Sequence, residues 1–494
     1  MIRSIQLVIP IALPIIAGLM IGFFRPLRKP RAQRVFLFVA LALNAVAVFV
    51  LILQPELNLE LFRLTERLPI MFKTDSLARL FCGLASLMFL VVGIYSPEYL
   101  HLSRDGFESR FNMFYLIALG MLMGFGLSGN LMTLYLFFEI STLISFPLVM
   151  HSMKKEAVAA AFKFLYYSVA GAALALIGFF FIYIYGTTLE FIPGGVLNIG
   201  ELAGREGQML AAVFITIIGF SAKAGMFPLH AWLPAAHPVA PAPASAVLSG
   251  VITKAGAFAV IRFVFYLVGA DFIRGTWVQT AWISLALFTV VMGSALAFRE
   301  PELKRRLAFS SVSQVSYVML GLGALNANGL TGALLHMVFH SISKDALFLI
   351  SGVFILKTSK TDVADLRGFG KQAPVTMWCF LLLAVAVVGI PPTGGFISKW
   401  FLASGYLALD SVFFTWLGPV ALLLSALLSA GYLLPIGIHS FFPGDRFDSS
   451  CNRLEPGLSM LLPVILLTVA AVLLGVFPGV LVSLFERIAA GLLT

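Results

Sequence analysis

The sequence predicts an all-α polytopic membrane protein, and three observations carry that reading. Of its 494 residues 60% are hydrophobic and 11% charged, with a mean hydropathy of +0.99, whereas a soluble domain is about a quarter charged. The apolar segments are long and continuous, as in Ile5 to Phe24 and Ala157 to Tyr185, and lack the two-residue alternation of a membrane barrel. At about 20 residues per span, the chain holds about 14 helices and leaves no room for a sizeable soluble domain.

Apolar runs between polar punctuation place six spans before residue 186 and eight after residue 209. Charge checks the count, because successive loops alternate sides. Odd-numbered loops carry 19 Lys and Arg, including Arg25, Lys154, Lys304 and Arg446; even-numbered loops carry 5. The odd loops are therefore expected in the cytoplasm and both termini outside. The N-terminus has a single Arg3, a long apolar run and no small-residue cleavage site before the basic loop, which reads as a retained first span. Cys82, Cys379 and Cys451 lie far apart, with no CxxC or haem-attachment motif, so no redox cofactor is expected in this chain. The net charge of +10 is spread over short loops, which argues for topology and against nucleic acid.

Several charges fall inside spans. Lys254 lies about 15 Å and Lys344 about 22 Å into their helices at 1.5 Å per residue, where a lysine costs about 2.5–3.5 kcal/mol to insert. Snorkelling accounts for Arg79, Arg262 and Arg487 but not for these central lysines. Glu139, in Phe-Phe-Glu-Ile-Ser, is the acid that stands out within an apolar span. It is either a packing carboxyl satisfied by Ser141 and Thr142 or the partner of a lysine on another helix.

Two helix breaks sit beside lysines. Lys223 precedes Gly225 and Pro228 in a run that stays proline-rich to Pro243, and Gly389-Ile390-Pro391-Pro392 leads to Lys399. Irregular backbone at membrane depth must be lined by protein or water, and paired interruptions in two halves point to inverted repeats with a transport site at each break. His336, His340 and Lys344 are spaced i, i+4, i+8 and so share one helix face. A His-x3-His pair can hold zinc, but no third ligand lies at a suitable spacing. A proton wire fits better, since imidazole relays protons near neutral pH and burial loosens a lysine's hold on its proton. Glu139, Lys223, Lys254, His336, His340, Lys344 and Lys399 then form a series through the bundle. Opening and closing of a Glu139–Lys223 pair would drive protons along it, which describes a pump or an antiporter.

At these residues the chain resembles the antiporter-like membrane subunits of respiratory complex I, Mrp cation/proton antiporters and membrane-bound hydrogenases. The resemblance rests on Phe138-Glu139, Glu156-Ala157 to Lys163, Lys223 through Trp232-Leu233-Pro234, Ser249-Gly250 to Lys254, His336 to Lys344, and Gly389 to Lys399. It implies fourteen helices with the seventh and twelfth broken: helices 1–3 in residues 1–110, two inverted five-helix repeats in 111–268 and 277–439, and helix 14 in 458–494. It also implies that Glu139 and Lys223 are the coupling pair, Lys254 and the His/Lys stripe the central relay, and Lys399 the terminal residue. A lysine at 399 points to the Mrp D-like and complex I L-like types. Two departures are Asp345, expected to pair with Lys344, and a chain that ends soon after helix 14, without the lateral helix of the L-like type.

The function implied is proton translocation within a multisubunit redox-driven complex, of the NADH/quinone oxidoreductase or membrane-bound hydrogenase type. Iron-sulfur, flavin or nickel centres would then lie in partner subunits. The alternative is a D-type component of an Mrp Na+/H+ antiporter, without redox chemistry. A self-sufficient solute transporter is disfavoured because the buried polar groups are almost all titratable, and a structural anchor has no use for costly buried lysines. Expected partners are other antiporter-like membrane subunits, peripheral redox subunits, lipid, protons and sodium, with no nucleic acid. The expected location is the cytoplasmic (inner) membrane of a prokaryote.

Overall fold

Apolar periodicity this strong and this long leaves the backbone one way to satisfy itself in lipid, as helices bonded within themselves. The computed structural model describes residues 4–104, 106–444 and 453–493; Arg3, Arg446 and Cys451 lie outside them. The main helices are α1 (Ser4–Phe23), α2 (Pro30–Leu53), α3 (Ser76–Ser103), α4 (Glu108–Gly126), α5 (Leu131–Val149) and α6 (Lys155–Tyr185). They continue with α7 (Glu206–Ala224), α8 (Leu233–Val239), α9 (Ala242–Val268), α10 (Trp277–Arg299), α11 (Leu303–Gly323) and α12 (Ala327–Thr358). The last are α13 (Pro374–Val388), α14 (Gly394–Leu407), α15 (Val412–Phe441), α16 (Leu458–Val476) and α17 (Gly479–Leu492). Among the described residues, 11 helices are long and apolar enough to cross a membrane.

The protein is mostly helical, with one addition that helical periodicity did not anticipate. Strands β1 (Asn58–Arg63) and β2 (Pro69–Lys73) form an antiparallel hairpin in the second loop, with an irregular register between Glu60 and Phe62. Phe72 of β2 is buried and meets Phe137 edge-on at 5.7 Å, so the hairpin caps the bundle near α5. Five residues are too short a run to separate a strand from a helical turn by pattern alone.

Both expected breaks are present. Helix α7 ends at Gly225 and α13 at Gly389, each in the left-handed region, with φ of 77° and 84°. That conformation suits glycine and closes a helix. Cis X-Pro bonds follow at Phe227-Pro228 and Pro391-Pro392.

Helices α9 and α12 form the axis. The whole of α9 and nearly all of α12 are buried inside the protein. The two pack on each other, and α12 is also surrounded by α3, α11, α14, α16 and α17. Two short π-helical stretches, Leu248–Ile252 and Val264–Val268, widen α9, and such bulges occur frequently at functional sites.

Arg262 does not snorkel. Its side chain is 1% exposed and forms a two-pronged ion pair with Asp75, Nη2 donating to Oδ1 at 2.8 Å. Asp75 is also the N-cap of α3, accepting from Ala78 N at 2.8 Å, and the guanidinium lies 4.6–5.2 Å from the rings of Tyr266, Phe191 and Phe258. The pair locks α9 to the start of α3, and an aromatic cage removes any route to water. Removing one partner strands a buried charge. Asp75→Asn is expected to cost about 3–5 kcal/mol, read as a lowered thermal midpoint of the detergent-purified protein, and Asp75→Asn with Arg262→Met is expected to recover much of it.

Candidate proton-relay site

Helix α5 brings Phe138, Glu139 and Ser141 against the C-terminal end of α7, where Lys223 is fully buried. The expected Glu139–Lys223 ion pair is not formed. Lys223 Nζ instead donates to Phe138 O at 2.8 Å and Ser141 Oγ at 2.7 Å, and stands 4.0 Å from the centre of the Phe138 ring. Glu139 is half-buried, with Oε1 buried and without a hydrogen-bond partner. Ser141 and Thr142 do not satisfy it either, because both hydroxyls donate to Phe138 O. Acid and lysine are thus electrostatic neighbours without direct contact.

The broken backbone beside Lys223 is held by Trp232, whose fully buried indole donates from Nε1 to Ala222 O at 2.8 Å. Carbonyls in the last turn of a helix have no intrahelical donor. The second break has the same need and meets it with a lysine. Lys399, on the second turn of α14, donates to Val387 O at 2.9 Å and Val388 O at 2.7 Å. A cation at a helix C-terminus is also favoured by the helix dipole.

Between the breaks, the wide turn of α9 exposes the Ser249 carbonyl, which accepts from Thr253 Oγ1 at 2.8 Å and from Lys254 Nζ at 2.5 Å. Lys254 Nζ also meets His340 Nδ1 at 2.7 Å. His340 and His336 lie one turn apart on α12 with rings stacked at 5.8 Å, and His336 Nδ1 is 3.0 Å from Ser398 Oγ on α14. Ser398 precedes Lys399, whose ammonium is 5.2 Å from the Tyr317 ring; that ring also packs against His336 at 5.1 Å. The structure therefore joins Lys254, His340, His336 and Ser398 in one buried file, and the Tyr317 ring lies between His336 and the half-buried Lys399. No direct hydrogen bond among the described residues bridges Lys223 to Lys254.

Lys344 leaves the file. It is fully buried and donates to Leu307 O on α11 at 3.1 Å. Its expected pairing with Asp345 is absent, since consecutive helical residues point about 100° apart. Lys163 is exposed on α6, in an open cleft shared with Glu156 and His230. Lys304, counted as a loop charge, is buried and donates to Ala240 O at 2.7 Å. Two residues were missed by sequence reasoning. Ser398 is the hydroxyl that meets His336 Nδ1, and only its place beside Lys399 in sequence marked it. His237, on α8, is fully buried with neither ring nitrogen hydrogen-bonded and stacks on Phe348 at 4.5 Å; its proline-rich surroundings hid it.

An apolar helical bundle with two broken helices and a buried file of amines and imidazoles defines an ion-translocating membrane subunit. Residues 128–425 match the family described as "NADH:quinone oxidoreductase/Mrp antiporter, TM", and the chain belongs to that family. It is 34% identical over 415 residues to NADH-quinone oxidoreductase subunit N of Desulforudis audaxviator, covering 82% of this chain and 80% of that one. It is 28% identical over 480 residues to the D component of the Na(+)/H(+) antiporter of Alkalihalophilus pseudofirmus, covering 95% and 93%. Its fold matches a chain of the membrane-bound sulfane sulfur reductase, an archaeal respiratory membrane complex, with a TM-score of 0.86 at 22% identity over 99% of this chain and 98% of that one.

Trp232→Phe keeps an aromatic ring against Phe164 but removes the indole N–H from Ala222 O, leaving that carbonyl only the weaker bond from Gly225 N at 3.1 Å. The expected cost is about 1–2 kcal/mol, measured as a fall in thermal midpoint; a variant as stable as the parent would remove Trp232 from the support of the break.

Proposed function

We propose that this chain is the proton-translocating component of a multisubunit membrane complex, and that protons pass from Glu139 and Lys223 to Lys254, along His340 and His336, and out by Lys399. The observation that carries the reading is the file from Lys254 to Lys399, in which each titratable group reaches the next through a hydrogen bond, a ring stack or the Tyr317 ring. Buried hydrogen-bonded chains of this kind are costly and mark ion pathways. Lys344 serves as a side branch that biases the charge on Lys254. Water would bridge Lys223 to Lys254.

The unformed Glu139–Lys223 pair supplies the coupling. With the carboxylate turned towards it, the ammonium is stabilised; with the carboxylate turned away, as here, Lys223 surrenders its proton to the file more readily. In this reading the chain crosses the inner membrane of a prokaryote fourteen times with both termini outside. Residues 1–110 precede two inverted five-helix repeats, 111–268 and 277–439, each broken beside a lysine, and 458–494 adds the last crossing.

The driving reaction is assigned to partners. Similarity over most of the chain to a component of an NADH-quinone oxidoreductase favours a redox-driven complex, with iron-sulfur, flavin or nickel centres in peripheral subunits and further antiporter-like subunits in the membrane. The near full-length match to a Na(+)/H(+) antiporter component supports the second reading, Na+/H+ exchange without redox chemistry. Co-purification separates the two: coloured soluble partners support the first, colourless small membrane partners the second. Lys223→Ala and Glu139→Gln, each in the assembled complex in liposomes, are expected to abolish proton movement read by a pH-sensitive dye while leaving membrane insertion intact. Parental rates in both would overturn the relay.

A further inference from the structure

Asp345 is fully buried in the middle of α12, and neither of its carboxyl oxygens has a hydrogen-bond partner. The other buried aspartate among the described residues is built differently: Asp75 is bonded by Arg262 and by Ala78 N. A carboxyl kept for structure is satisfied; an unsatisfied one in a dry core is expensive and calls for another explanation. The surroundings of Asp345 supply it. Its carboxyl rests against the backbone of Gly250 in the wide turn of α9, in the space that any side chain at that position would fill. Ser341, one turn back on α12, donates to Gly250 O at 2.5 Å and fastens the two helices there. Lys254 lies one turn further along α9; its ammonium bonds Ser249 O and His340 Nδ1 without a direct bond to the carboxyl, yet its charge is the one the carboxyl feels. Tyr115 on α4 is the other titratable neighbour, but its hydroxyl is committed to Phe89 O at 2.8 Å, and Lys344 is committed to Leu307 O.

We propose that Asp345 is a further proton-carrying residue of this path, exchanging a proton with Lys254 across the opening at Gly250. The proposal rests on the translocation reading above. In the step, a bridging water takes the proton as an N–H bond of the Lys254 ammonium breaks and passes one of its own to the Asp345 carboxylate as an O–H bond forms there, leaving a neutral amine, a neutral acid and the water; the reverse step restores both charges. Total charge is zero on either side, so the proton moves without any net charge being created in the apolar interior. No co-reactant is required. Lys254 therefore has two proton partners on α12: His340, which continues the file, and Asp345, which stores a proton beside it.

The test is proton movement by the complex reconstituted in liposomes, with the content of each component checked on gels. Asp345→Asn keeps the shape and removes the proton site, and is expected to slow translocation at least about tenfold. Gly250→Ala keeps the acid but displaces it, and is expected to slow translocation several-fold. If Asp345→Asn works within about twofold of the parent while Lys223→Ala abolishes movement, Asp345 carries no proton and only this proposal falls. If Lys223→Ala also retains the parental rate, the translocation reading itself falls. Should Asp345→Asn fail to assemble, Gly250→Ala decides, a parental rate overturning the proposal. Should neither assemble, a pH-difference infrared spectrum of the unaltered complex decides: a protonated carboxyl band moved by 13C-aspartate labelling supports the exchange, and its absence overturns it.

Discussion

An amine at the centre of an apolar bundle must find acceptors inside the protein, and Lys254 finds two, the Ser249 carbonyl and the His340 ring. The rest of the site depends on this contact. It requires α9 to widen at Leu248–Ile252 so that a main-chain carbonyl faces the lysine. It also requires α12 to lie directly alongside, which small residues and the Ser341–Gly250 bond permit. With those two helices joined, the i, i+4 spacing of His336 and His340 aims the file at α14, and the break before α14 turns Lys399 back onto the carbonyls of α13.

Some buried charges in this protein hold helices in register: Asp75 is bonded to Arg262 and Lys304 to Ala240 O. Glu139, Asp345 and the outer nitrogens of His336 and His340 have buried atoms without partners. Native interiors rarely leave polar atoms so, and each exception calls for a cause. Those on α5 and α12 lie next to the lysines, where the proposed path would have them change partners, while others, such as both ring nitrogens of His237, lie away from it.

The helices, both breaks and the titratable residues were legible in the sequence because each leaves a local mark: a long apolar run, Gly and Pro beside a lysine, a charge where lipid forbids one. Partner choice left none. Nothing near Arg262 reveals that Asp75, 187 positions away, will face it, so snorkelling was the natural reading. Adjacency suggested that Asp345 pairs with Lys344, yet helical geometry turns them to different neighbours. Lys304 read as a loop charge because the helix that buries it begins one residue earlier. The direction of a side chain across a helix interface is set by packing, and packing between distant segments is what one sequence does not display.

The central claim is that protons cross the middle of this bundle through His340. The most direct measurement is proton translocation by the reconstituted complex carrying His340→Ala, alongside the parent at matched protein content. Translocation at least about tenfold slower is the predicted result. A parental rate would contradict the account, because Lys254 would then deliver its proton by a route that bypasses the file.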